Sequence, residues 1–312
     1  MENLEIILPE IFLSLTIMFL LLFGVFKNNS SKLIYNLTTL SLIILFALLL
    51  NLYQVSDLSI FNNSYKVDSL ATFMKLLTIG SGIFVMLTSS KYIEINNINK
   101  MEYPILILSS ILGMMVMISS NDLIVFYMGL ELQSLALYVL ASFNRENLLS
   151  TESGLKYFVL SALSSGLLLY GCSLIYGFSG STNFNIILDN SSSGQYGITF
   201  GIVFILVGLA FKISAVPFHM WAPDVYQGSP TSVTTFFAVL PKIAALSVFI
   251  RFLYVPFAEM NDQWQMIIIF LSIASMIFGA VAAIGQKNLK RLIAYSSICL
   301  LYTSDAADEF SC

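Results

Sequence analysis

Three charged residues lie deep inside predicted membrane-spanning segments. Glu131 falls about ten residues into its segment, Lys212 about fifteen and Lys242 about eleven. At ~1.5 Å of rise per helical residue, Glu131 is roughly 15 Å deep, near the middle of a hydrocarbon core ~30 Å thick. An ionised side chain at that depth costs ~3 kcal/mol or more. We therefore predict a functional row of ionisable groups across the centre of the membrane.

The chemistry that suits this row is proton transfer. A carboxylate beside an ammonium keeps both groups charged, and separating them favours loss of the ammonium proton. Buried lysine can release its proton, whereas arginine stays protonated. The pattern predicts a relay of Glu131, Lys212 and Lys242. The alternative is a single buried Glu–Lys pair that only fixes the register of two helices.

Four further polar residues have weaker signals. Lys156 lies near the inner end of its segment, so a place on the proton path and a snorkelling side chain both stay open. Lys75, about six residues into its segment, is expected to snorkel. His219, the chain's one histidine, is either part of the proton path or a satisfied polar residue. Asp224 is expected to be a turn or cap residue.

The chain that carries these residues is 57% hydrophobic and only 10% charged, with a mean hydropathy of +0.85. Soluble domains carry about 25% charged residues, and ~20 apolar residues span a bilayer. We predict an all-α polytopic transmembrane helix bundle. The predicted spans are 4–26, 33–53, 69–90, 103–120, 122–142, 152–178, 197–217, 231–254 and 264–285, with a tenth beginning near Lys290.

Prolines predict irregular helices beside two of the lysines. Pro217 is expected to interrupt the seventh span five residues after Lys212, and Pro241 to distort the eighth just before Lys242. Backbone groups freed in this way are tolerated in a membrane only where protein or a wet cavity receives them. Broken helices beside buried charges are a recurring feature of transporters.

Small residues recur at a spacing that lets helices approach closely, and we expect them to serve only packing within the bundle. They are Ser161/Ser165 and Ala162/Gly166 in the sixth span and Gly279/Ala283 in the ninth.

The distribution of basic residues predicts the orientation. With the N-terminus outside, eight basic residues fall in inner loops and two in outer loops, as the positive-inside rule requires. The inner ones are Lys27, Lys32, Lys91, Lys100, Arg145, Lys287, Lys290 and Arg291, and the outer ones are Lys66 and Arg251.

No redox or nucleotide site is readable in the sequence. The three cysteines, Cys172, Cys299 and Cys312, form no CxxC pair and no cluster with His219, so neither an Fe–S cluster nor zinc is indicated. There is no GxGxxG and no P-loop.

Four segments carry a resemblance to a known family. They are GLELQSLALYVL, ESGLKYFVLSALSSGLLLYG, FKISAVPFHMWAPDVYQGSPT and LPKIAALSVF. The chain resembles, from about Met1 to Ile298, the N-type antiporter-like subunit of proton-translocating NADH:quinone oxidoreductase (complex I), the counterpart of mitochondrial NADH dehydrogenase subunit 2.

The resemblance implies a bundle of roughly fourteen helices, with nine to ten present here, and two inverted five-helix repeats. By position, Glu131 would pair with Lys212, Lys242 would be the central relay lysine, and Lys156 would lie on the inner-side path. The implied domains are 1–102, three N-terminal helices; 103–254, the first repeat with its half-channel; 255–298, the start of the second repeat; and 299–312, a non-native tail.

The resemblance also implies a membrane subunit of an oxidoreductase that holds no redox centre itself. NADH, FMN, Fe–S clusters and quinone would belong to partner subunits. The expected partners are the other membrane subunits of complex I and the lipid bilayer, with no nucleic acid. A bacterial inner membrane is expected, with an organellar inner membrane as the alternative.

Two other functions stay open at this point. One is a subunit of a multisubunit sodium/proton antiporter, which shares the Glu–Lys–Lys pattern. The other is a truncated product that acts only as a scaffold, because the apolar run ends in Thr303-Ser304-Asp305. The segment Cys299–Cys312 resembles translated sequencing-adaptor sequence, and we expect it to be foreign to the fold.

Overall fold

The computed structural model describes residues 4–27, 30–52, 58–96, 98–190 and 196–300. Within them the chain forms twelve α helices, a 3₁₀ helix at Ala258–Met260 and a hairpin of strands β1 (Leu58–Ile60) and β2 (Tyr65–Val67). The helices are α1 (Leu4–Phe26), α2 (Ser31–Leu52), α3 (Ser69–Ile95), α4 (Glu102–Ile118), α5 (Leu123–Ala141), α6 (Leu148–Ser179), α7 (Phe184–Asn190), α8 (Tyr196–Ile213), α9 (Trp221–Gly228), α10 (Thr231–Tyr254), α11 (Asn261–Ile284) and α12 (Leu289–Leu300).

The nine predicted spans are all helices in this structure. Eight of them are long and apolar enough to cross a membrane, and the ninth, α4, is an apolar helix of 17 residues. The outer faces of α1 and α11 expose large apolar side chains such as Phe19 and Phe270. Lipid accepts such faces because every backbone group of a helix is satisfied internally. The predicted helical membrane bundle is confirmed.

The small hairpin was not predicted. Its strands pair antiparallel, with Ile60 opposite Tyr65. The hairpin joins the α4–α5 turn, where Lys66 N donates to Ser119 O at 2.8 Å and Asn121 N donates to Ser64 O at 2.9 Å. It therefore covers one end of the bundle and satisfies backbone groups that the turn leaves free.

The seventh span is broken as predicted, but earlier than Pro217. The helix α8 ends at Ile213, and Ser214 takes the left-handed backbone conformation with φ of 64°. Trp221 Nε1 donates to Phe211 O at 2.8 Å, and Val216 N donates to Ser275 Oγ at 2.9 Å. Protein groups thus satisfy the backbone at the break. By contrast, α10 runs through Pro241 without interruption.

Close packing between helices depends on one of the predicted glycines and on others that were not predicted. A Cβ at Gly113 of α4 would lie 2.5 Å from Gln133 N of α5, so only glycine permits this approach. A Cβ at Gly279 would lie 3.0 Å from Cys299 Cβ, in agreement with the packing prediction for α11. The prediction for Gly166 is wrong, because a Cβ there would meet nothing within 4 Å.

Two sequence-based predictions are not tested by the fold. The domain limits at residues 102, 254 and 298 stay predictions. Of the segment predicted to be foreign, Cys299 and Leu300 end α12, and residues 301–312 lie outside the described residues.

Candidate functional site

The site centres on Lys212, the penultimate residue of α8. The residue is only 7% exposed, and Nζ donates to Ser134 Oγ of α5 and to Ser161 Oγ of α6, both at 2.7 Å. The ammonium also lies at the C-terminal end of its helix, where the last carbonyl groups favour positive charge. The break in α8 therefore provides an environment for one buried cation.

The hydroxyl groups around Lys212 form a short chain. Tyr138 donates its hydroxyl to Ser161 Oγ at 2.6 Å, and its ring centroid lies 6.0 Å from Lys212 Nζ. Both donors converge on Ser161 Oγ, so a proton can pass along this chain only after the Ser161 and Tyr138 hydroxyls reorient, which a hydroxyl can do because it both donates and accepts. Sequence reasoning missed Ser134 and Tyr138 and assigned Ser161 to packing alone. The signal that could have found Ser161 is its polar side chain at mid-span.

Glu131 lies on α5, one turn before Ser134, and is half-buried. Its Oε1 atom is buried and has no hydrogen-bond partner among the described residues. No direct ion pair joins Glu131 to Lys212 within the described ranges, where Lys212 binds two serines, but Glu131 lies close enough to act on the ammonium through its charge. The expected pairing stays a prediction. An unsatisfied buried carboxylate oxygen is costly, so this Oε1 atom has an open place for a hydrogen-bond donor.

Lys242 occupies a second buried position, between α9, α10 and α12. The residue is 6% exposed, and Nζ donates to Ser297 Oγ at 2.7 Å. The ring centroid of Tyr226 lies 5.9 Å from Nζ, which allows a cation–π interaction. The partners of Lys242, like those of Lys212, are uncharged groups.

Lys156 lies in a charged network at the predicted inner end. It pairs with Glu152 at 2.7 Å and with Asp224 at 2.9 Å, and Arg291 of α12 pairs with the same Asp224 at 2.8 Å. Lys156 is 41% exposed at its side chain and lines a cavity of ≈ 200 Å³. Both predicted roles remain compatible with this position.

Asp224 is more than the turn or cap residue that was expected. Its carboxylate joins α6 and α12 through Lys156 and Arg291, and it makes no cap contact at the start of α9. Burial raises the pKa of Asp224, but the hydrogen bond and charge of Lys156 and the charge of Arg291 more than offset this, so the pKa is held below its usual range. The carboxylate therefore stays ionised at neutral pH.

His219 lies in the segment between α8 and α9. It is buried, its ring packs 4.6 Å from the Phe278 centroid, and Nδ1 has no hydrogen-bond partner in the described structure. No hydrogen bond or ion pair within the described ranges joins it to Glu131 or the three lysines. Its place on a proton path stays a prediction.

A second buried charge cluster was missed by sequence reasoning. Lys75 is 1% exposed and pairs with Glu10 of α1 at 2.6 Å, so the expectation that Lys75 snorkels is wrong. Its Nζ also donates to Tyr65 of β2 at 2.8 Å. Glu10 was the available signal, because it is a carboxylate inside the first predicted span.

The described part of the chain holds no group of three or more His, Cys, Asp or Glu side chains that could bind a metal ion. The polar groups of the site instead form pairs and short hydroxyl chains. That chemistry is suited to holding and passing protons.

The chain is thus a polytopic membrane protein with a broken helix beside buried lysines, an arrangement that recurs in transporters. The sequence model of the family NADH:quinone oxidoreductase/Mrp antiporter, TM, matches residues 120–301. The chain belongs to this family, and the resemblance seen in the sequence is confirmed.

Relatives agree with this assignment. The chain is 72% identical over 298 residues to NADH-quinone oxidoreductase subunit N of Pelagibacter ubique, covering 96% of this chain and 63% of the relative. It is similar to a chain of respiratory complex I from Thermus thermophilus with bound aureothin, at 31% identity and a TM-score of 0.79, covering 94% and 62% of the two chains. The chain thus spans less than two thirds of these relatives' length.

A chain of the Mrp complex from Dietzia sp. shares the fold. The TM-score is 0.83 at 19% identity, and the match covers 96% of this chain and 58% of that one. At this identity the likeness concerns the arrangement of helices alone.

Proposed function

We propose that this chain works as the antiporter-like N subunit of a proton-translocating NADH:quinone oxidoreductase. One observation carries the proposal: a buried ammonium, Lys212, is held by two neutral hydroxyls at a helix break. The 72% identity to an NADH-quinone oxidoreductase subunit N supports the same reading. The chain's bacterial relatives favour the bacterial inner membrane as its location.

The residues suggest how a proton would be held and released. Because Lys212 donates only to neutral oxygens, it can lose its proton without leaving a carboxylate bound to an uncharged amine. Glu131 lies one turn from Ser134 with a free carboxylate oxygen. A shift of Glu131 toward Lys212 would favour the ammonium form, and a shift away would favour proton release.

The other lysines extend this scheme toward both sides. The network of Lys156, Asp224 and Arg291 borders a cavity at the predicted inner end, where protons would enter. Lys242, with Ser297 as its hydrogen-bond partner, would be the next proton-carrying group of the relay. Lysine suits both buried positions because arginine could not release its proton.

Redox chemistry would take place elsewhere in the complex. NADH, FMN, Fe–S clusters and quinone would bind partner subunits, and this chain would contribute proton translocation to the oxidoreductase as a whole. Its contacts would be the other membrane subunits and the lipid bilayer, which its exposed apolar faces suit.

The test replaces Lys212 or Glu131 with alanine in the full-length subunit within the assembled complex. We expect each change to lower NADH-driven proton pumping into inverted vesicles by about tenfold or more, which is the scale of loss for a proton-transfer group. Lys91→Ala, at an exposed lysine of α3, is the matched control. Normal pumping in both variants, with normal assembly, would contradict the relay.

A second candidate function is a cation/proton antiporter subunit. The observation that favours it is the family model matched by residues 120–301, whose description covers Mrp antiporters as well as NADH:quinone oxidoreductase. Proteoliposomes with the full-length protein distinguish the two, because an antiporter would exchange sodium for protons without NADH. Sodium-dependent, NADH-independent proton flux would support this alternative over the first.

A further inference from the structure

We propose that two buried ion pairs at the hairpin end of the bundle form a lock that sets the rotation of α10 and thereby positions Lys242. The pairs are Arg251–Asp68, between α10 and the start of α3, and Lys75–Glu10, between α3 and α1. Neither pair belongs to the relay of Glu131, Lys212 and Lys242. The proposal of a lock depends on the proposed function only where it is tested by proton pumping, and its cross-linking test is independent of that function.

The first pair ties α10 to the N-terminus of α3. Arg251 is 4% exposed, and its Nη2 donates to Asp68 Oδ1 at 2.7 Å. The same oxygen accepts from Ala71 N at 2.8 Å and so caps α3. One carboxylate oxygen therefore fixes both a helix start and the neighbouring helix.

The second pair joins the same face of α3 to α1. Lys75 binds Glu10 of α1 at 2.6 Å and Tyr65 of β2 at 2.8 Å. Asp68, Lys75 and Gly82 follow at intervals of seven residues, or about two turns, so they share one face of α3. At Gly82 that face meets α10, where a Cβ would lie 3.4 Å from Leu240 Cδ2.

Helix geometry connects the position of Arg251 to the direction in which Lys242 points. On α10, Leu240 and Arg251 are eleven residues apart, or about three turns, so both lie on the face toward α3. Lys242 is nine residues before Arg251, about two and a half turns, and therefore points to the opposite side. There it meets Ser297 of α12 and the Tyr226 ring of α9.

Buried charge pairs are best suited to fixing the rotation of one helix against another. Removing two charges from water costs several kcal/mol, and an apolar pair of similar size is often as stable. A directional pair, however, permits one rotation of the helix and penalises others because rotation leaves a buried charge unpaired. Arg251 and Asp68 are thus positioning residues for Lys242.

The test measures directly whether positions 242 of α10 and 297 of α12 face each other. Cysteines replace Lys242 and Ser297 in the full-length subunit, with the other cysteines changed to serine, and a short dithiol cross-linker is added to membranes holding the complex. We expect Arg251→Met to lower the cross-link yield by about fivefold or more and Arg251→Lys to retain most of it. Arg145→Met, at an exposed arginine, is the matched control.

A second cysteine pair separates rotation from general unfolding. Phe278→Cys and Tyr295→Cys replace two facing rings of α11 and α12 whose centroids lie 6.4 Å apart, and this pair does not involve α10. The lock predicts that Arg251→Met leaves the cross-link yield of this pair unchanged. Equal losses in both pairs, or no loss at 242–297, would overturn the inference.

Two further measurements complete the test. If Arg251→Met lowers assembly, Asp68→Asn replaces it, because asparagine caps a helix as well as aspartate but lacks the charge. In complexes with native Lys242, the lock predicts a lower ratio of protons pumped per NADH and a shifted pH profile. Cross-linking does not depend on pumping. If Arg251→Met changes the cross-link yield as expected but the wild-type complex pumps no protons, the proposed function is refuted and the lock is still supported.

Discussion

At the scale of residues, the buried and half-buried lysines differ in the charge of their partners. Lys212 and Lys242 bind neutral hydroxyls, whereas Lys75 and Lys156 bind carboxylates. A carboxylate partner stabilises the ammonium, and a hydroxyl does so far less. The division agrees with the proposal that Lys212 and Lys242 carry the proton relay, and it sets Lys75 and Lys156 apart as members of ion pairs.

Either of the two serines bound to Lys212 should be replaceable alone, but replacing both should impair proton pumping. With Ser134→Ala or Ser161→Ala, one hydroxyl still accepts from Nζ, so NADH-driven pumping should fall by about threefold or less. The double variant leaves the ammonium without a direct acceptor and should lose about tenfold or more. Vesicle pumping assays measure this, with NADH oxidation rates recorded in parallel.

Ser165→Ala is the control for the serine series. Ser165 lies one turn beyond Ser161 on α6 and is also buried, and its hydroxyl has no hydrogen-bond partner among the described residues. The Ser165→Ala protein should pump protons at the wild-type rate. Equal loss in this variant and in the double variant would argue for a packing effect.

At the scale of elements, the site depends on one broken helix and on helices packed closely enough to hold it. The break after Ile213 places Lys212 at a helix end, and α5 and α6 supply its two acceptors. The positions of α5 and α6 depend in turn on the contact between α4 and α5, where Gly113 and Gly129 face each other's backbones.

That contact should tolerate no side chain. Gly113→Ala places a Cβ 2.5 Å from Gln133 N and should destabilise the protein by about 2 kcal/mol or more. Gly166→Ala, where a Cβ meets nothing within 4 Å, should instead stabilise it by roughly 0.5 kcal/mol because alanine favours the helix. Thermal unfolding in detergent compares the two. A stable Gly113→Ala protein would show that α4 and α5 can separate.

At the scale of the whole molecule, the two ends of the bundle differ. One end has the hairpin and the buried pairs of Arg251 and Lys75, and the other has the charged network of Asp224 beside a cavity. Because the pKa of Asp224 is lowered, its ion pairs stabilise the network at neutral pH and are lost only as pH falls through that lowered value.

The positive-inside rule predicts which end faces outward. A cysteine at exposed Ser59 of the hairpin should react with a membrane-impermeant thiol reagent on intact cells, and one at exposed Glu146 only in inverted vesicles. Buried Cys172 should stay unlabelled in both. The opposite labelling pattern would reverse the orientation and with it the direction assigned to proton entry.

The bundle, its spans, the family and the central charges were all predictable from the amino-acid sequence. These follow from hydropathy, from the cost of charge in lipid and from local motifs, all of which are properties of single segments. The break beside Lys212 was predictable as well, although the helix ends at Ile213 and not at Pro217.

Which side chains contact one another was not predictable from the sequence and is seen in the folded chain. Ser134 and Ser161 lie 78 and 51 residues before Lys212, and Glu10 lies 65 residues before Lys75. Segment hydropathy carries no information about such pairings, because they depend on how helices pack and rotate against one another. For that reason the hydroxyl partners of Lys212, the burial of Lys75 and the rotation of α10 became visible only in the fold.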